Sequence, residues 1–154
     1  MVLDMLKAGD TFSIETDSGV GYFQFIKINK TYGSLIRVVP GVFPFDDCFS
    51  PDRLQVESNF WCFFPVSACL KKNLISKVGC YPIPEHAVVP FFRHGVVNQS
   101  TKKVDTWWLW NGEQEWMVGE LNNEQRRLPI LGVWNDSLLR NRLEAGWLPE
   151  LDIW

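Results

Sequence analysis

Between Thr11 and Val39 the chain reads as three short extended runs separated by tight turn clusters, and that spacing leaves few folds open. Thr11-Phe-Ser-Ile-Glu15 alternates, with Phe12 and Ile14 facing one side. Thr16-Asp-Ser-Gly19 is turn chemistry, and Val20 to Ile28 is extended again, with Phe23 and Phe25 two apart. Asn29 to Gly33 makes a second turn, and Leu35-Ile-Arg-Val-Val39 a third strand closed by Pro40-Gly41. Connections this short join antiparallel neighbours, so the N-terminal part is expected to form a bent β-meander or small barrel. Gly19-Val-Gly21 is followed by no third glycine and by no helix start, so these are read as turn and bulge glycines and not as a phosphate loop.

The rest of the chain continues the pattern less regularly. Gly41 to Asn59 carries Pro44, Asp46, Asp47, Pro51 and Asp52 and reads as a surface loop, with Arg53-Leu-Gln-Val-Glu57 as a short edge strand. Phe60-Trp-Cys-Phe-Phe64 has the apolar character of a buried strand, and Pro65 suits the first turn of a short helix reaching Leu70. Asn73 to Cys80 is one more strand. Tyr81-Pro-Ile-Pro84 is an extended linker, because each proline biases its predecessor away from helix. A single domain over 1–154 is expected, with lobes 1–80 and 85–154 on either side of that segment.

In the second lobe, Thr106-Trp-Trp-Leu-Trp-Asn-Gly-Glu-Gln-Glu-Trp-Met117 places Asn111-Gly112 between two strand-like runs, the signature of a two-residue type I′ hairpin. Closed that way, Trp110 pairs with Glu113, Trp108 with Glu115 and Trp107 with Trp116. One face then carries Trp107, Leu109 and Trp116 and is the expected core face. The other mixes Trp108, Trp110 and Met117 with Glu113 and Glu115, and is expected to be partly exposed. Near the end, Asn135-Asp-Ser137 supplies helix caps. Leu139, Leu143 and Trp147 recur at helical spacing, and Gly146 supplies a stop. The fold class is mainly β, with one C-terminal helix.

Function classes are narrowed by what the residues do not form. Fifteen Lys and Arg against eighteen Asp and Glu give a net charge of −3, and the basic residues fall in isolated pairs, so nucleic acid is not the expected partner. No apolar run is long enough for a membrane span, and the opening, with Asp4, Lys7 and Asp10, is not a signal peptide. Cys48, Cys62, Cys69 and Cys80 have neither zinc-ligand nor disulfide-scaffold spacing and read as core or loop residues of a cytoplasmic protein. His86 and His94 bracket Val88-Val-Pro-Phe-Phe92 and suggest no catalytic motif. Hydrolase chemistry would need one of them beside a cysteine or an acid in a concave pocket. What remains is an unusual aromatic load, eight Trp and eleven Phe. Tryptophan is enriched among the anchors of protein interfaces. The expected partner-binding residues are Trp108, Trp110, Glu113 and Glu115 of the hairpin, with the loop acids Asp46, Asp47 and Asp52.

Lys7-Ala-Gly-Asp-Thr-Phe-Ser-Ile14, Gly19-x-Gly21-Tyr-x-x-Phe25 and Gly33-Ser-Leu-Ile-Arg-Val38 resemble the opening of the immunity protein 26 family of bacterial polymorphic-toxin systems. Pro90-Phe-Phe-Arg93, Trp110-Asn-Gly112, Leu128-Pro129 and Trp134-Asn-Asp136 through Leu139, Gly146-Trp147 and Pro149-Glu150 are similar to its later part. The resemblance implies a cytosolic antidote that binds and blocks a cognate toxin, with no catalysis and no cofactor. The alternative from the residues is a small β-barrel module that binds a peptide or nucleic acid.

Overall fold

A computed structural model describes residues 5–154; Asp4, used above in reading the opening, lies outside them. The chain forms two compact units. The first comprises the described residues up to Val88 together with Val133–Trp147; the second comprises Val89–Gly132 and Leu148–Trp154. The fold is mainly β, as the alternation of short strands and turns requires, with a C-terminal helix.

The first unit is built on β1 (Asp10–Glu15), β2 (Val20–Asn29), β3 (Gly33–Val38), β4 (Phe60–Phe63) and β5 (Ser76–Cys80). These make one antiparallel sheet in the order β4-β3-β2-β1-β5, an open meander with β5 added beside β1. Strand alternation sorts its side chains. Phe12, Ile14, Phe23, Phe25, Ile36, Val38, Phe60 and Cys62 form the main core with Phe64, Ile75, the short helix α1 (Val66–Lys71) and the longer helix α2 (Asp136–Ala145). Helix α2 starts where the caps predict: Asn135 Oδ1 accepts the Leu138 N–H at 2.8 Å. It ends at Gly146 in the left-handed region, and it buries Leu139 and Leu143. A Cβ on Gly21 would come within 2.6 Å of Leu143 Cδ1, so this glycine, paired in the strand, makes room for a leucine of the helix.

The opposite face of the sheet carries a smaller apolar cluster of Val20, Tyr22, Val39 and Leu54 with buried polar side chains beside it, and is covered by the loop that follows β3. Arg37, fully buried, donates from Nε to Ser58 Oγ (2.8 Å) and from Nη1 to Gln24 Oε1 (2.8 Å). Its Nη2 reaches the carbonyls of Leu54 (2.9 Å) and Val56 (3.0 Å). Those carbonyls face a guanidinium and not a neighbouring strand, and Pro51 opens a 3₁₀ turn over Pro51–Gln55. The expected edge strand at 53–57 is therefore absent. A second fastening runs the other way: Arg53, from the loop, pairs with Asp47, whose Oδ2 also accepts the Tyr22 hydroxyl at 2.7 Å.

The second unit contains β6 (Phe92–His94), β7 (Val97–Asn98), β8 (Lys103–Val104), β9 (Trp107–Trp110) and β10 (Glu115–Gly119). Its three-stranded sheet has the order β10-β9-β6, and β7 and β8 form a separate two-stranded ribbon. The division departs from the expected lobes. The first segment runs past the proline linker to Val88, and the C-terminal helix belongs to the first unit, because Leu139 and Leu143 complete that core.

The hairpin register also differs from expectation. Glu115, not Glu113, lies opposite Trp110, and Met117 opposite Trp108. Asn111 Oδ1 accepts the N–H groups of Glu113 (2.9 Å) and Gln114 (2.8 Å), and Asn111 N–H reaches the Gln114 carbonyl (3.1 Å). The asparagine side chain thus builds a wider turn, with Gly112 at φ 107° inside it, in place of the two-residue turn. A shift of two preserves side-chain parity, so Trp107, Leu109 and Trp116 still share one face, and Trp108, Trp110, Glu115 and Met117 the other. Glu113 leaves the strand and sits in the turn. The same shift puts Trp116 opposite Leu109, and an irregularity between Met117 and Gly119 then sets Gly119, in place of Val118, opposite Trp107.

Candidate functional site

Strand β6 turns the hairpin into a site. It pairs Phe92 with Trp110 and His94 with Trp108, adding both side chains to the Trp108/Glu115 face. Phe92 is buried and meets the Trp110 ring edge-on at 5.7 Å, so Trp110 belongs to the packed end of this face. At the other end, Trp108 is half-buried between His94 on β6 and the exposed Met117 on β10. Here the surface opens into a groove of about 520 Å³ lined by His94, Val96, Asn98, Asp105, Trp108 and Glu115, with Gly95, Gln99 and Thr106 completing the wall.

The polar groups of the groove are already organised. His94 Nε2 lies 2.7 Å from Glu115 Oε2, an ion pair whenever the imidazole carries its second proton. Asn98 Nδ2 donates to Asp105 Oδ2 at 2.8 Å, while Asn98 Oδ1 accepts the Ser100 N–H at 2.9 Å and caps the turn between β7 and β8. The Asp105 carboxylate is thus held by a neutral amide, Glu115 lies within ion-pair distance of a His94 Nε2 that has no hydrogen-bond partner among the described residues, and both carboxylates keep lone pairs for another donor. The lining includes no lysine or arginine, and Thr106 is its one hydroxyl side chain. No cysteine or serine is in place as a nucleophile.

Beneath the sheet, on the Trp107/Leu109 side, lies a buried cation. Arg93 is fully buried; Nε donates to the Leu128 carbonyl (3.2 Å) and Nη2 to that of Pro149 (2.7 Å), and the guanidinium sits 4.6 Å from the Trp107 ring centre. Nη1 has no hydrogen-bond acceptor. Burial pushes this guanidinium down to about 10. Its role is structural: it fastens the terminal segment at Pro149 and backs the sheet that carries Trp108.

The expected site residues therefore separate. Trp108 and Glu115 line the groove, Trp110 supports it through Phe92, and Glu113 stands exposed at the hairpin turn. Asp46, Asp47 and Asp52 belong to the first unit. Asp46 and Asp52 are exposed there, but Asp47 is engaged. Arg53 and the Tyr22 hydroxyl hold its carboxyl below the usual carboxylate range, and burial together with Asp47 pushes the Tyr22 phenol up to about 12. Asp47 is thus a fastening of the loop and not a free docking group. Beside it lies a second cavity of about 380 Å³, lined among others by Glu15, Tyr22, Asp47 and Arg140, which carries charges of both signs.

His94, Asn98 and Asp105 were missed as members of the site. The one signal for His94 is the period of two in Phe92-Arg-His94, which puts it on the Phe92 face of a strand. His86 is exposed within a turn. Cys62 and Cys69 are core residues, and burial pushes the Cys62 thiol up, away from the reactive thiolate. Among the described residues no three His, Cys, Asp or Glu side chains are grouped to hold a metal ion, and no helix is long and apolar enough to cross a membrane.

No family model, curated protein or solved structure matches this chain.

Proposed function

We propose that this is a binding protein that captures a partner protein on the Trp108 groove, and that the partner is a bacterial toxin, as the resemblance to immunity protein 26 implies. The observation that carries the reading is the state of Trp108: a large ring, half-buried and fixed by strands on both sides, standing in a groove beside an organised carboxylate. Preorganised aromatic side chains lose little entropy on binding and dominate the affinity of many protein interfaces. An antidote needs such a surface, because capture must outlast the toxin's chance to act.

The test is to mix the purified protein with the toxin-like domain encoded beside its gene and measure complex formation by calorimetry. A tight stoichiometric complex is expected, and Trp108→Ala should weaken it by about 2 kcal/mol or more, roughly thirtyfold. Circular dichroism of the variant should be unchanged. A neighbour that does not bind, or a Trp108 variant that binds as well as the parent, would refute the proposal.

One observation favours a second reading. The His94–Glu115 pair lies in a concave groove, which is what acid–base hydrolysis would require of it. Turnover of an ester or glycoside that His94→Gln abolishes would establish that reading in place of capture.

A further inference from the structure

The chain holds its own arginines in a repeated way. Arg53 pairs with the Asp47 carboxylate while its guanidinium carbon lies 4.0 Å from the Phe43 ring centre and 5.7 Å from that of Tyr22. Arg142 is stacked between Trp147 (3.9 Å) and Trp134 (4.4 Å), and Arg93 lies over Trp107. The Arg53 receptor consists of an aromatic face and a carboxylate within reach of the same cation. The groove of the second unit offers the same two components, the Trp108 ring with Glu115 and Asp105. Here, however, no lysine or arginine lines the wall, and among the described residues no cation stacks on Trp108. Among the described residues the carboxylates have only His94 and Asn98 as neighbouring polar partners.

We infer that the groove takes an arginine side chain of the partner, its guanidinium stacked on Trp108 and donating to Glu115 and Asp105. Arginine is favoured over lysine because a planar, weakly hydrated guanidinium can stack on a ring and still direct its in-plane N–H groups at carboxylates; a compact, strongly hydrated ammonium does both less well. His94 then acts as a positioning residue, holding one Glu115 oxygen so that the carboxylate meets the incoming donor without first being ordered. The inference deepens the capture reading and rests on the same groove.

The experiment titrates the whole protein with N-acetyl-L-arginine amide and follows the Trp108 indole N–H resonance, with N-acetyl-L-citrulline amide as the uncharged isostere and N-acetyl-L-lysine amide as the second cation. A saturable shift in the millimolar range is expected for arginine, a weaker one for lysine and none for citrulline. Glu115→Gln and Asp105→Asn, both at exposed positions, should each weaken arginine binding by roughly threefold to tenfold, while Glu113→Gln leaves it unchanged. Absence of saturable binding, equal binding of citrulline, or indifference to both groove substitutions overturns the inference. If the probe fails while complex formation still depends on Trp108, capture stands and the arginine assignment falls. If the probe binds in the groove but complex formation is indifferent to Trp108, the capture reading falls instead.

Discussion

Each unit buries one arginine completely, and the two are satisfied very differently. In the first unit every nitrogen of Arg37 is hydrogen-bonded to a neutral acceptor, two of them loop carbonyls, so the charge is spread over a built cage. In the second unit Arg93 has two carbonyl acceptors, a tryptophan face and one nitrogen with no acceptor. The surroundings differ in the same sense. The first unit sets its arginine behind a continuous aromatic and aliphatic core. The buried apolar side chains of the second are Phe92, Trp107, Leu109 and Leu121, with Pro129 and Pro149. Strands of two to five residues cannot cover the tryptophans they carry, so Trp108, Trp110 and Trp116 stay half-buried. Apolar area that these strands leave uncovered is the area that the proposed capture of a partner would use.

The largest effect should come from the cage. Arg37→Met removes donors from Gln24, Ser58 and the Leu54 and Val56 carbonyls together, and should cost about 3–5 kcal/mol in chemical denaturation, with release of the 41–59 loop seen as accelerated proteolysis there. Arg93→Met deletes the unpartnered nitrogen along with its two bonds, so the gains offset the losses and the cost should stay below about 2 kcal/mol. Equal penalties for the two substitutions would break the comparison. The smallest effect sharpens it by reporting on the first unit alone. The Tyr22 phenol has a folded value of about 12, above its ordinary 10.0, so its contribution to stability is complete below pH 10 and is lost as the pH rises toward 12. Asp47 is displaced in the opposite direction; its contribution is present above the usual carboxylate range and lost as the pH falls through its lowered folded value. Asp47→Asn should bring the phenol's spectroscopic titration midpoint down and leave the acid limb of the stability profile shallower. A midpoint that does not move would show that Asp47 does not contact the phenol in solution.

The readings that held are those decided within a few residues. The meander, the helix between Asn135 and Gly146 and, apart from Glu113, the side-chain parity of the Trp hairpin follow from turn chemistry, capping and parity. The site was half legible for the same reason. Trp108 and Glu115 stand out because Asn111-Gly112 marks a hairpin around them, whereas His94, Asn98 and Asp105 arrive from strands and turns elsewhere in the chain. Asp47 was misread because an acidic loop looks solvated until Arg53 and Tyr22 are found to enclose its carboxylate.

By itself the sequence determined the period-two segregation of side chains, the places where the chain turns, and the ends of its C-terminal helix, since each depends on contacts between near neighbours. Only the tertiary structure decided the two buried arginines, the fastening of the 41–59 loop and the third strand that completes the groove. Those depend on partners far apart along the chain, and no local preference of Arg37, Arg93 or His94 specifies which carbonyl, ring or carboxylate it will meet.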